Sequence, residues 1–177
     1  MRLDRRRGLW IAGSAMLALF ALLASIDLRI QDTGGPGIVE FEFAASEERV
    51  AETLGEWGDE GTDDARLSLW LDYAYMLSYA SFLALAVIAA REAAARRGWE
   101  GLARAGAVLV LFPVAATAFD ALENAGLLVA LDRNGGDLAP LLAAICAAIK
   151  FALAGTAILY LLVTLTRIGI SRLRPVT

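Results

Sequence analysis

A chain of 177 residues is long enough for one domain and too short for two of ordinary size. With 58% hydrophobic residues it is too apolar for an ordinary soluble domain. Histidine is absent and Cys146 is the single cysteine, which excludes Ser-His-Asp catalysis, histidine-ligated metal or haem, and an intrachain disulfide.

Taken in chain order, the first element is an arginine-rich tail (Arg2, Arg5, Arg6, Arg7) followed by an apolar run over Leu9–Ile26. A charged start and an apolar run also describe a signal peptide. Here the run continues to Ile26 and offers no good small-x-small cleavage site before Asp27, so it reads as a retained membrane span. Three more runs are long and apolar enough to cross a bilayer: Leu67–Ala90, Ala103–Leu131 and Leu138–Leu165. In hydrocarbon such runs satisfy their own amides only as helices. The expected fold is therefore all-α, a bundle of four transmembrane helices in a single domain over residues 1–177.

Between the first two spans lies a segment, 27–66, with twelve acids from Asp27 to Asp64. It opens with the turn-rich stretch Gln31 to Gly37. From Ile38 to Phe43 the pattern alternates, with Val39, Phe41 and Phe43 on one side and Glu40 and Glu42 on the other, which predicts a short strand. Ser46 is a suitable N-cap, and Val50, Leu54 and Trp57 recur at helical spacing, predicting an amphipathic helix that ends near Gly58. Its apolar face would rest on the bilayer surface or on the mouth of the bundle, and residues 38–57 could also dock a membrane-protein partner. Asp59–Arg66 reads as a polar run leading into the second span.

Arg91, Arg96, Arg97 and Arg104 fall between the second and third spans, and Arg167, Arg172 and Arg174 follow the fourth. Eleven arginines thus share one side with both termini, against Arg29, Arg49, Arg66 and Arg133 on the other. Because basic residues near span ends stay in the cytoplasm, both termini are expected inside, with 27–66 outside. The short link Arg91–Arg104 and the turn Asp132 to Asp137 make consecutive spans antiparallel neighbours. Pro113 should kink the third span, and Ala143, Ala147, Ala148 and Gly155 should allow close contact by the fourth.

The residues that carry chemistry are ionisable groups inside the spans: Asp72, Asp120, Glu123 and Lys150, with Asn124 beside them. Each charge costs about 2.5–3.5 kcal/mol at mid-bilayer, so these side chains should face the bundle interior. Asp120 and Lys150 lie at matching depths, roughly 16–18 Å from the outer helix ends at about 1.5 Å per residue, and should form an ion pair. Glu123 and Asn124 share the face of Asp120, and Tyr75 and Tyr79 continue the face of Asp72. Lys150 is the only lysine beside fifteen arginines. Together these seven residues predict an acid-rich polar pocket in the outer half of the bundle, fit for a lipid or a hydrophobic amine. Against this stands the plainer expectation that buried charges only lock helix register in a scaffold or complex subunit. A proton-linked carrier or an intramembrane enzyme using Asp120 or Glu123 finds less support, since neither a repeat nor a nucleophile with its base is present. No catalytic residue, metal ligand, cofactor or nucleic-acid partner is expected; membrane lipids are.

Three patches resemble an uncharacterised family of bacterial four-span membrane proteins: Gly37-Ile38-Val39-Glu40-Phe41-Glu42-Phe43, Trp70-Leu71-Asp72-Tyr73, and Asp120-x-x-Glu123-Asn124 with Lys150-Phe151. In topology the chain is also similar to the emopamil-binding and sigma-2 receptor group, whose acids are placed like Asp27 and Asp72. That likeness implies a pocket whose carboxylates pair with a ligand amine; Asp120, Glu123, Asn124 and Lys150 have no counterpart in it.

Overall fold

The computed structural model describes residues 2–133 and 136–173; Arg174 and two residues of the Asp132 to Asp137 turn, Asn134 and Gly135, lie outside them. Six helices follow in order: α1 Arg2–Asp32, α2 Ile38–Glu42, α3 Glu47–Ala95, α4 Glu100–Leu109, α5 Phe112–Leu131 and α6 Leu138–Leu173. Four stretches are long and apolar enough to cross a membrane: Asp4–Asp32, Glu47–Ala95, Glu100–Leu131 and Leu138–Ser171. The fold is that of a multi-pass membrane protein. Each stretch extends beyond its apolar run because helical hydrogen bonding continues through the flanking polar residues. The 31 residues of α1 extend about 46 Å at about 1.5 Å per residue, against a hydrocarbon core of about 30 Å.

Helices α3, α5 and α6 pack around a common interior, and α1 lies along α3. The neighbours are antiparallel: Arg5 of α1 meets Glu92 of α3, while Arg29 near the other end of α1 meets Asp64 at 2.7 Å. Large apolar side chains of α1, including Trp10, Ile11, Leu17 and Phe20, point outward, as lipid-facing positions must. On α6 the buried stripe is Ala143, Ala147, Lys150, Ala157, Tyr160 and Thr164. Ala148 and Gly155 are exposed, so only two of the four expected small residues serve the helix contact. The third span is broken at Val110–Leu111, and Pro113 sits in the first turn of α5, where its missing N–H costs no helical bond.

The predicted strand is instead the short helix α2, and no strand occurs among the described residues. The reason is local capping combined with tertiary demand. Asp27 Oδ1 accepts a hydrogen bond from the Ile38 N–H at 2.7 Å, at the start of α2. The helical turn then sends Phe41 inward against Trp57, with ring centroids 4.8 Å apart, and leaves Val39 and Phe43 partly exposed. A lone strand would have had no partner for its amides.

The amphipathic helix does not end near Gly58. It bends there and continues directly as the second span, so Asp59–Arg66 is helical. Ser46 caps it as expected, accepting the Arg49 N–H at 3.3 Å. Val50, Leu54 and Trp57 are buried in one cluster with Ile26, Ile30, Leu127 and Leu131, so the helix closes the mouth of this bundle rather than lying on the bilayer. Trp57 also donates its indole N–H to the Pro36 carbonyl at 2.8 Å. Gly58 makes the bend with φ 61 and ψ −164, a conformation essentially reserved for glycine. We expect Gly58→Ala to cost about 1–3 kcal/mol by that strain, lowering the melting temperature in detergent. Gly55→Ala, in the same helix with open space around the added carbon, should be neutral or slightly stabilising. Equal melting of the two variants would contradict the bend as a constraint.

Candidate buried acid–lysine centre

Each helix delivers one part of the centre. On α5 the buried face runs through Ala116, Asp120, Glu123, Asn124 and Leu127, the spacing of one helical stripe. Lys150 stands on the buried stripe of α6, and Met76 and Tyr79 on that of α3. The Lys150 ammonium ends among carboxylates. The Nζ donates to Glu123 Oε1 at 2.7 Å, Asp120 Oδ1 at 3.1 Å and Glu42 Oε2 at 3.3 Å. All three donor positions of the ammonium are used. The Tyr79 hydroxyl donates to the other oxygen of Asp120 at 2.8 Å.

The Asp120–Lys150 pair was legible in the matching depths, and the structure places it within a larger cluster. Glu42 is the member that the sequence reading missed. Alternation assigned it to the solvent side of a strand; the helical turn of α2 carries it onto Lys150 instead. The available signal was an acid enclosed by Phe41 and Phe43. Phe43, just past the end of α2, stacks on Phe151 with centroids 6.1 Å apart, so the α2 segment is held to α6 by this stack and by the Glu42–Lys150 bond; within α6 the Lys150 ammonium lies 4.8 Å from the centre of the Phe151 ring.

The seven expected residues divide into two groups. Asp120, Glu123, Lys150 and Tyr79 form the closed part with Glu42. Asp72 and Tyr75 stand beside it, joined through Asn124, whose amide donates to Asp72 Oδ2 at 2.9 Å and to the Leu69 carbonyl at 3.2 Å. Asp72 is only partly buried, and its Oδ1 accepts no hydrogen bond among the described residues. The Tyr75 ring lies 5.5 Å from that of Tyr79 and 6.4 Å from that of Phe20 on α1. Tyr73 donates to the Ala121 carbonyl at 3.2 Å, and its ring lies beside the exposed Trp70, consistent with places in an interfacial belt.

Charge balance decides what such a centre can do. Four carboxyls and one ammonium would carry three surplus negative charges if all were ionised. Low dielectric opposes this, so the group must hold protons or accept a cation from outside. Glu123 is fully buried, and its Oε2 has no hydrogen-bond partner among the described residues. Among those residues no set of His, Cys, Asp or Glu has metal-binding geometry. Two open clefts of about 710 and 780 Å³ lie elsewhere, one along the C-terminal turns of α6 and one beside α2 and the first turns of α3.

Removing one partner from a buried ion pair strands the other, at about 3–5 kcal/mol. Lys150→Met should therefore destabilise the protein strongly. The double change Lys150→Met/Asp120→Asn should be milder, leaving Glu42 and Glu123 able to share a proton; equal melting temperatures for the two would contradict the coupling.

A second expectation concerns pH. Burial raises the Glu42 carboxyl above its ordinary value of 4.5, although the Lys150 charge opposes the rise. A carboxyl raised on folding stabilises the native state fully below its unfolded value, and that contribution is lost as pH rises through the folded value. Stability of the wild type should thus fall with rising pH above the ordinary carboxylate range, and Glu42→Gln should flatten the fall. Parallel profiles would remove Glu42 as the responsible group.

No protein-family model, curated protein or solved structure matches the chain, so its reading rests on this geometry alone.

Proposed function

We propose that the protein binds a hydrophobic ligand with a cationic, amine-like head, which it holds at Asp72 beside the buried acid–lysine centre. The observation that carries this reading is the surplus of carboxyls over cations, with one member left open. Lys150 bonds Glu42, Asp120 and Glu123, whereas Asp72 has no ammonium partner among the described residues, accepts the Asn124 amide on one oxygen and, unlike Glu123, is partly exposed. The rings of Tyr75, Tyr79 and Phe20 follow Asp72 along the same region, and aromatic faces beside a carboxylate suit a desolvated ammonium. The apolar flanks of the helices would take the tail of the ligand. We further place the protein in a bacterial inner membrane with both termini cytoplasmic, a placement supported by the arginines gathered at one end of the bundle.

The second reading makes the chain a scaffold or a subunit of a membrane complex, with the charges serving assembly alone. Its support is the tight closure of the Lys150 cluster, which resembles a register lock. Residues 38–57 would then be the docking segment, presenting the acids on its outer face. The two readings differ in what Asp72 does.

Native mass spectrometry and equilibrium binding of a long-chain alkylammonium, wild type beside Asp72→Asn, separate them. Loss of a charge-assisted contact of about 1.5–3 kcal/mol predicts a tenfold to hundredfold weaker affinity in the variant. A long-chain alcohol should bind both forms alike. Unchanged ammonium affinity would refute the ligand reading, and a polypeptide retained equally by both forms would favour the scaffold.

A further inference from the structure

The end of the bundle opposite α2 carries a feature that the acid–lysine centre does not use. There the turn between α3 and α4 faces the last turns of α6, and the Tyr160 hydroxyl ties the helices together by donating to the Leu102 carbonyl at 3.1 Å. The cleft of about 710 Å³ at this end is lined by Trp99, Leu162, Val163, Thr166, Arg167 and Ile170. Its size lies within the usual range of ligand sites, about 300–1,000 Å³.

Two guanidiniums meet one indole at its head. Arg167 lies 4.5 Å from the centre of the Trp99 ring and Arg97 lies 5.7 Å from it. Arg97 donates one bond to the Ala93 carbonyl, and neither arginine forms an ion pair among the described residues. Both side chains are exposed. Two planar, positively charged forks held on one ring, with donors unused, are suited to an anionic oxygen cluster such as a phosphate. The wall on the span side of Arg167 is apolar: Leu162 and Val163 line the cleft, Leu159 continues them about one turn further along α6, and all three are exposed. Trp99 supplies the aromatic group typical of the headgroup level.

We propose that this cleft is a binding site for an anionic phospholipid, its phosphate between Arg97 and Arg167 and one acyl chain running from there along Leu162 and Val163 towards Leu159. Charge and hydrophobicity together select the lipid over a free anion. A free phosphate would use the guanidiniums but not the apolar wall. A zwitterionic lipid would use the wall but bring a choline cation to a place already holding two positive charges.

The test uses the whole protein in nanodiscs of phosphatidylcholine doped with phosphatidylglycerol, read by native mass spectrometry. Wild type should retain phosphatidylglycerol about tenfold over phosphatidylcholine, and Arg97→Gln/Arg167→Gln should lose that preference. Quenching of Trp99 by phosphatidylglycerol with brominated chains, taken as the difference between wild type and Trp99→Phe, gives a second measurement independent of the arginine variants. Equal retention by wild type and the double variant, or no Trp99 component in the quenching, would overturn the site. Displacement of the retained lipid by millimolar inorganic phosphate would identify a simple anion site and overturn the assignment to a lipid.

Discussion

A single ammonium inside the bundle organises the half of this protein that carries α2. Lys150 would be costly to bury alone, and each of its three carboxylate partners would be costly to bury without it. The cluster is stable only when α2, α5 and α6 are all in place, because each brings a different partner to the same nitrogen. Helix α3 is bound to the same unit by the Tyr79 hydroxyl on Asp120 and by the Asn124 amide on the Leu69 carbonyl. Apolar packing alone gives little orientation to helices in lipid, since their flanks are as compatible with acyl chains as with one another. Directional hydrogen bonds between charged groups supply the register that such packing lacks.

The same requirement explains the segment between α1 and α3. A five-residue helix has little stability of its own. Here α2 is capped by Asp27, covered by Trp57 through Phe41 and joined to α6 through Glu42 and Phe43. Gly35 is part of this closure, since a Cβ there would come within 2.5 Å of the Trp57 ring. The acid-rich segment is therefore no loose loop. It turns its few apolar groups and one carboxylate into the bundle and leaves the remaining acids at the surface.

The two ends of the molecule thus differ in chemistry. One end closes over an acidic centre whose charge is not balanced by its own lysine. The other gathers arginines around Trp99 and opens to the lipid side along α6. An acid-rich region and an arginine-rich region lie at separate levels of one narrow bundle; Asp72 in the first and Arg167 in the second have no ion-pair partner among the described residues.

How much of this was legible without coordinates follows from the range of the forces involved. Long apolar runs report membrane helices directly, because every residue in them meets the same solvent; the four spans emerge from that, and the short links between them give the antiparallel order. Depth along a helix is equally local, which is why Asp120 could be matched to Lys150 by counting residues. The face of α6 was less legible: Ala148 and Gly155 look as suited to packing as Ala143 and Ala147, and only the neighbouring helices decide which pair is covered. Residues 38–43 show the limit most clearly. Their alternation is genuine, yet the cap from Asp27, the cover from Trp57 and the charge of Lys150 come from chain positions up to 108 residues away from Glu42. Tertiary structure alone decided that Glu42 would enter the centre, that Gly58 would join the capping helix to the second span at a kink, and that Asp72 would stand beside the lysine cluster rather than in it. Each depends on contacts between distant segments, which hydropathy and periodicity do not encode.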